Sequence, residues 1–170
     1  MTYQQALAFV EETKKYGSIL GLDSIRALMK ELGDVQEDLS IIHIAGTNGK
    51  GSVGAMLQAV LEEAGLKVGR YSSPAVFSYR EIWQINGKAV SEEAYAALME
   101  KVKTACLTLM EKGLPHPTSF EVETAAAFLY FKEEACDVVL LETGMGGRED
   151  ATNLITHPLC SVITSISMDH

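Results

Sequence analysis

The lysines and arginines of this chain are few and never cluster: 14 stand against 23 aspartates and glutamates, a formal charge of −9 over 170 residues. Neutralising phosphates along a duplex takes gathered cations, so a nucleic-acid surface is not expected, and any bound phosphate must be held locally. Long apolar runs are missing as well. No segment approaches the ~20 residues that cross a bilayer, and Met1-Thr2-Tyr3-Gln4-Gln5 lacks the charged-then-apolar build of a signal peptide, so membrane insertion and secretion are not expected. Cys106, Cys136 and Cys160 are odd in number, far apart and set among apolar residues, which predicts buried, reduced thiols in a cytoplasmic protein. With 47% hydrophobic residues the chain has enough apolar side chain for a globular core.

Against that background one segment stands out. In Ile41-Ile42-His43-Ile44-Ala45-Gly46-Thr47-Asn48-Gly49-Lys50-Gly51-Ser52 an apolar strand runs into a glycine-rich turn carrying one lysine. Glycine lets the backbone turn so tightly that its N–H groups point inward, and the following helix offers its positive end, which together make a phosphate cradle. Lys50 adds a point charge for β- and γ-phosphates, and Ser52 a hydroxyl for phosphate or Mg²⁺. The generic loop has glycine where Ile44 stands and a hydroxyl residue where Gly51 stands, so the segment alone also permits a plain strand-to-helix turn. The run 53–61 suits a helix, with Gly65 placed to end it.

The remaining pattern is α/β: a mostly parallel sheet flanked by helices. Residues 3 to about 16 are helical, and Asp23 is placed to cap a short helix ending before Gly33. Residues 67–71 read as a strand stopped by Ser72-Ser73-Pro74, so strand, loop helix and strand form a right-handed parallel unit. Residues 81–85 and 88–90 flank Asn86-Gly87 as a small hairpin. Ser91 is placed to cap a helix to about Lys112, and Thr118-Ser119-Phe120-Glu121 has capping-box spacing for another through Glu134. Residues 137–142 form an unbroken apolar strand of the kind buried on both faces, and residues 159–166 form a last one.

Glu142 therefore sits at a strand's carboxyl end, where ligands bind in open α/β sheets. An acid there suits Mg²⁺, which takes one or two carboxylates together with phosphates and water, although a solvated acid at a strand end is the alternative. Of the histidines, His43 lies within a strand and His116 and His157 each precede proline, so structural roles are expected; His170 follows Ser167-Met168-Asp169 at another strand end, where taken alone it reads as an ordinary terminal residue.

Taken together, three ordered motifs resemble the N-terminal part of folylpolyglutamate synthases, including their bifunctional dihydrofolate synthase form, within the Mur ligase superfamily. They are residues 45–52, residues 141–153 beginning Leu141-Glu142-Thr143-Gly144, and residues 163–170 ending Met168-Asp169-His170. The resemblance implies a P-loop-containing central ATPase domain of Mur ligase type, with residues 1–170 its N-terminal part and the remainder, plus a C-terminal domain, lying outside this chain. It implies an ATP- and Mg²⁺-dependent ligase that joins L-glutamate to a folate carboxylate through an acyl phosphate, with the 170-residue piece inactive alone. By the same resemblance Gly46, Thr47, Asn48, Gly49, Lys50, Gly51 and Ser52 hold the nucleotide; Ser73, Glu142 and His170 ligate Mg²⁺; Lys50, Glu142 and His170 serve catalysis. Arg80, Phe120, Asp150 and Ala151 fall at the substrate. Ala75, Val76 and Glu149 depart from the family pattern. The family implies a monomer, and an incomplete sheet with an apolar edge implies self-association of the piece. Another Mur-type amino-acid ligase and a stand-alone nucleotide-binding module remain alternatives.

Overall fold

The computed structural model describes residues 1–17 and 21–168. Helices α1 (Tyr3–Thr13) and α2 (Asp23–Glu31) precede β1 (Ile41–Ala45), α3 (Lys50–Glu63) and β2 (Val68–Tyr71). The hairpin β3 (Trp83–Ile85) and β4 (Lys88–Ala89) follows, then α4 (Glu92–Glu111), α5 (Ser119–Glu133), β5 (Val138–Glu142) and β6 (Cys160–Ile163). These strands make one mixed sheet in the order β4-β3-β2-β5-β1-β6. The four strands β2, β5, β1 and β6 run parallel, and the hairpin adds antiparallel to β2.

Alternation along the strands splits the core into two faces. Val138 and Leu140 of β5 pack with Ile44 and Val68 under Leu57 and Leu61 of α3. Val139 and Leu141 face the opposite way, joining Ile41 and Tyr71 in a larger core with α1, α2, α4 and α5. Every residue of β5 is buried, as its unbroken apolar sequence requires for a central strand covered on both sides. Phe128 and Phe131 of α5 are fully buried, and truncating either to alanine should cost about 3–5 kcal/mol.

The Thr118 capping box is formed: its side chain accepts from the Glu121 N–H while Glu121 accepts from the Thr118 N–H. Ser91 caps α4 by accepting from the Ala94 N–H at 3.1 Å. Several boundaries differ from the sequence reading. α1 tightens into a 3₁₀ turn at Lys14–Tyr16, and Leu22, not Asp23, is the N-cap of α2, leaving Asp23 in the first turn to favour the dipole. Tyr79–Ile82 is a 3₁₀ turn, so β3 starts only at Trp83. β1 and β2 are parallel but not adjacent, because β5 inserts between them. β6 ends at Ile163, where Thr164 and Ser165 turn toward the glycine loop. Burial of the cysteines is graded: Cys106 is buried, Cys136 intermediate, and Cys160 exposed on edge strand β6. Ile163 of that strand is 66% exposed. No helix among the described residues is long and apolar enough to cross a membrane.

Candidate functional site

All four parallel strands point their carboxyl ends to one edge of the sheet, and the loops leaving them build the site. After β1, Gly46 takes φ 137°, and a Cβ there would lie 1.9 Å from Thr164 Oγ1, so only glycine fits. α3 then begins at Lys50, and among the described residues no side chain caps its N-terminus and no acid lies in its first turn, so its positive end faces the site. The Lys50 ammonium folds back over the loop, donating to the Gly46 carbonyl at 2.7 Å and the Thr47 carbonyl at 3.4 Å. Ser52 is exposed in the same first turn.

The segment after β6 braces this loop. Thr164 Oγ1 donates to the Asn48 carbonyl at 2.7 Å and lies 3.2 Å from the Ala45 carbonyl, while Ser165 Oγ reaches the Asn48 carbonyl at 3.2 Å. The Thr47 N–H donates to the Ser165 carbonyl at 2.8 Å, and its hydroxyl donates to the Ser167 carbonyl at 3.1 Å.

Register places Glu142, the last residue of β5, beside Ile44. Its carboxylate is buried and takes a hydrogen bond from the Arg70 guanidinium at 3.3 Å. Desolvation pushes the Glu142 carboxyl above its usual range, with Arg70 and Lys50 pulling the other way. Among the described residues no three His, Cys, Asp or Glu side chains converge as a metal cage. A carboxylate beside a phosphate loop nevertheless fits Mg²⁺, which completes its shell with phosphate oxygens and water.

Past the carboxyl ends of β2 and β5 lies a cavity of about 490 Å³, walled by Ser73 and Pro74 after β2, Tyr79, Phe120 and Glu123 of α5, and the loop after β5 through Asp150 and Ala151. Asp150 shapes that loop: one oxygen accepts from the Met145 N–H at 2.8 Å, the other from the Thr152 N–H at 3.0 Å and the Thr152 hydroxyl at 2.5 Å. Because that hydroxyl donates to Asp150, it accepts from His43 Nε2–H at 2.8 Å, which fixes the tautomer. Burial pushes the His43 imidazole below its ordinary value, Asp150 opposing. The structural role expected for His43 is the one it has.

Thus residues 46–52 and Glu142 come together at the sheet edge, and Ser73, Phe120, Asp150 and Ala151 share one cavity wall. Arg80 does not reach that wall; its guanidinium donates to the Val90 carbonyl at 3.0 Å and holds the hairpin. His170 lies outside the described residues. The sequence reading missed the contacts of Arg70 and Thr164. Arg70 carried a signal, a charge in the interior of a strand bound for a buried sheet, which needs a partner. Thr164 carried none, since its role depends on a contact across the sheet.

A glycine loop with its lysine between a parallel strand and a helix, beside an acid ending the neighbouring strand, defines a P-loop α/β fold. No family model matches the chain. It is 41% identical over 169 residues to the dihydrofolate synthase/folylpolyglutamate synthase of Bacillus subtilis, covering 99% of this chain and 39% of that protein. Among solved structures, a folylpolyglutamate synthase complex with AMPPCP superimposes with TM-score 0.92 at 33% identity, covering 100% of this chain and 41% of the other. The E. coli FolC protein in complex with DHPP and ADP gives TM-score 0.89 at 35% identity, covering 100% and 39%. By sequence and fold the chain is homologous, end to end, to a segment of the folylpolyglutamate synthase/dihydrofolate synthase family. It spans about two fifths of the length of these relatives.

Proposed function

We propose that the chain is the phosphate-binding part of an ATP-dependent ligase that joins L-glutamate to the carboxylate of a folate. The observation that carries this reading is the meeting, at one sheet edge, of the Lys50 loop, Glu142 and a cavity bounded by Phe120 and Asp150. Relatives of the same fold are described in complex with an ATP analogue and with DHPP and ADP, which supports a nucleotide on the loop and a folate-type molecule in the cavity.

In this reaction a carboxylate oxygen attacks the γ-phosphorus, the bond to ADP breaks, and the resulting acyl phosphate is attacked by the glutamate amine with release of phosphate. The protein's work is to position groups and neutralise charge. The amides of residues 46–52 would cradle the β- and γ-phosphates, and Lys50 would exchange its bonds to the Gly46 and Thr47 carbonyls for phosphate oxygens. Ser73 and Glu142, with His170, would hold Mg²⁺, which supplies positive charge where the anions meet. Phe120, Asp150 and Ala151 would seat the folate so that its carboxylate faces the loop; Arg80 acts through the hairpin it holds.

Residues 1–170 then form the first part of the ATP-binding domain of a cytoplasmic enzyme and do not turn over alone. The intact protein made from its native gene should release ADP only when tetrahydrofolate, glutamate and Mg²⁺ are all present. ADP release that ignores glutamate would remove the ligase reading.

A further inference from the structure

Glu142 is the acid proposed for the divalent ion, yet its carboxylate already meets a cation of the chain's own. Strand alternation explains the meeting. Arg70 of β2 stands beside Leu140 of β5, and Glu142 follows Leu140 by two residues, so both charges lie on the α3 face of the sheet, which Val68, Leu140 and Ile44 otherwise make apolar. One terminal nitrogen of Arg70 donates to Glu142 Oε1 at 3.3 Å and to the Gly51 carbonyl at 3.1 Å. A Cβ on Gly51 would lie 3.8 Å from that nitrogen and 3.9 Å from Glu142 Oε1, which puts the pair directly against the first turn of α3. Lys50 acts on Glu142 only through space, because its ammonium donates to the Gly46 and Thr47 carbonyls.

The charge balance follows. A nucleotide on the loop brings several negative charges to the start of α3, beside the Glu142 carboxylate. Charges a few ångströms apart and out of solvent interact strongly, so an uncompensated Glu142 would repel the phosphates until a divalent ion came between them. Arg70 removes that repulsion in advance. Among the described residues no donor reaches Glu142 Oε2, which leaves that oxygen for an ion, but the guanidinium charge stands against a second cation on the same carboxylate.

We propose that Arg70 sets how strongly nucleotide and divalent ion depend on one another at this site, standing in for the ion's charge at Glu142 so that the loop takes nucleotide without it. This rests on the nucleotide reading above; turnover still needs Mg²⁺, whereas binding does not.

The dependence has a measurable form. If Mg²⁺ raises nucleotide affinity by some factor, nucleotide raises Mg²⁺ affinity by the same factor. Arg70 keeps that factor small. Without it, metal-free binding should weaken by about tenfold while binding with Mg²⁺ is retained, so the factor grows. A purely structural role through the Gly51 carbonyl gives a different result: a loosened α3 turn weakens both kinds of binding equally and leaves the factor unchanged.

The test is a titration of the 170-residue chain with a fluorescent ADP analogue at pH 8, in EDTA and in saturating Mg²⁺. For wild type the two affinities should differ by less than about tenfold. For Arg70→Met the ratio should be about tenfold larger, and Arg70→Lys, which keeps the charge, should bring it back toward wild type. If Arg70→Met fails to fold, wild type decides, since a loss in EDTA greater than about tenfold overturns the proposal. An equal ratio in wild type and Arg70→Met also overturns it and leaves the nucleotide reading standing. Absence of analogue binding by wild type under both conditions would overturn both.

Discussion

The Arg70 guanidinium lies 3.3 Å from Glu142 Oε1 and 3.1 Å from the Gly51 carbonyl, so one cation ties the end of β5 to the first turn of α3. Both side chains are largely out of solvent, at 16% and 5% exposure, and Arg70 Nε is buried without a partner among the described residues. Space for the pair comes from Gly54, whose absent Cβ would stand 3.2 Å from Glu142 Oε1 and 3.3 Å from Arg70 Nε. Any divalent ion taken by Glu142 therefore shares its carboxylate with an internal cation.

Arg70→Met should destabilise the chain by about 3 kcal/mol at pH 8, since it leaves a buried carboxylate unpaired. Glu142 is already raised by burial, and losing Arg70 raises it further. A raised carboxyl gives stability that is complete below its unfolded value and lost as pH rises through its folded value. The penalty should accordingly shrink at pH 5. Urea denaturation at both pH values measures this, and an equal cost at each would mean that Glu142 does not carry the charge assigned to it.

Lys50→Met should weaken ATP binding at least tenfold, because charge-assisted hydrogen bonds are worth about 1.5–3 kcal/mol. Titration with a fluorescent ATP analogue reads this directly. Unchanged affinity would take Lys50 out of the phosphate site.

Local signals explain what the sequence disclosed. Glycine spacing and a single lysine located the loop, the Thr118-to-Glu121 capping box located α5, and unbroken apolar residues marked β5 as central. Each is a property of neighbours in the chain. The strand order was hidden, because insertion of β5 between β1 and β2 depends on helix packing distributed over both faces. The end of β6 was misread for a related reason: Thr164 and Ser165 have strand-compatible side chains, but bonds to the Asn48 carbonyl draw them out of the sheet. Arg80 was assigned to the substrate by resemblance; an N–H of its guanidinium is held by the Val90 carbonyl, a contact beyond the hairpin turn that no local pattern signals.

His43 should make the chain less stable in mild acid. Burial depresses its folded value, so its contribution is present above the unfolded value of ~6.5 and lost as pH falls below it. His43→Leu removes that dependence and leaves Thr152 bonded to Asp150. The stability difference between wild type and variant should change between pH 7 and pH 5. A constant difference would show that His43 does not gain a proton on unfolding.

The loop's shape can be traced to either of two causes, its glycines or its brace. Gly46 permits the turn, but permissive backbone does not select one conformation. Selection falls to Thr164, whose hydroxyl holds the Asn48 carbonyl at 2.7 Å while its bulk fills the space beside Gly46. Thr164→Val keeps the bulk and removes the bond, at a cost of about 1 kcal/mol. Because the bond is local to the site, the expected effect is faster hydrogen exchange at the loop amides with little change at β5, together with weaker ATP binding. Ser165→Ala, which removes a longer 3.2 Å contact to the same carbonyl, should do less. If exchange at residues 46–50 is the same in all three proteins, the brace is incidental and the glycine turn alone fixes the cradle.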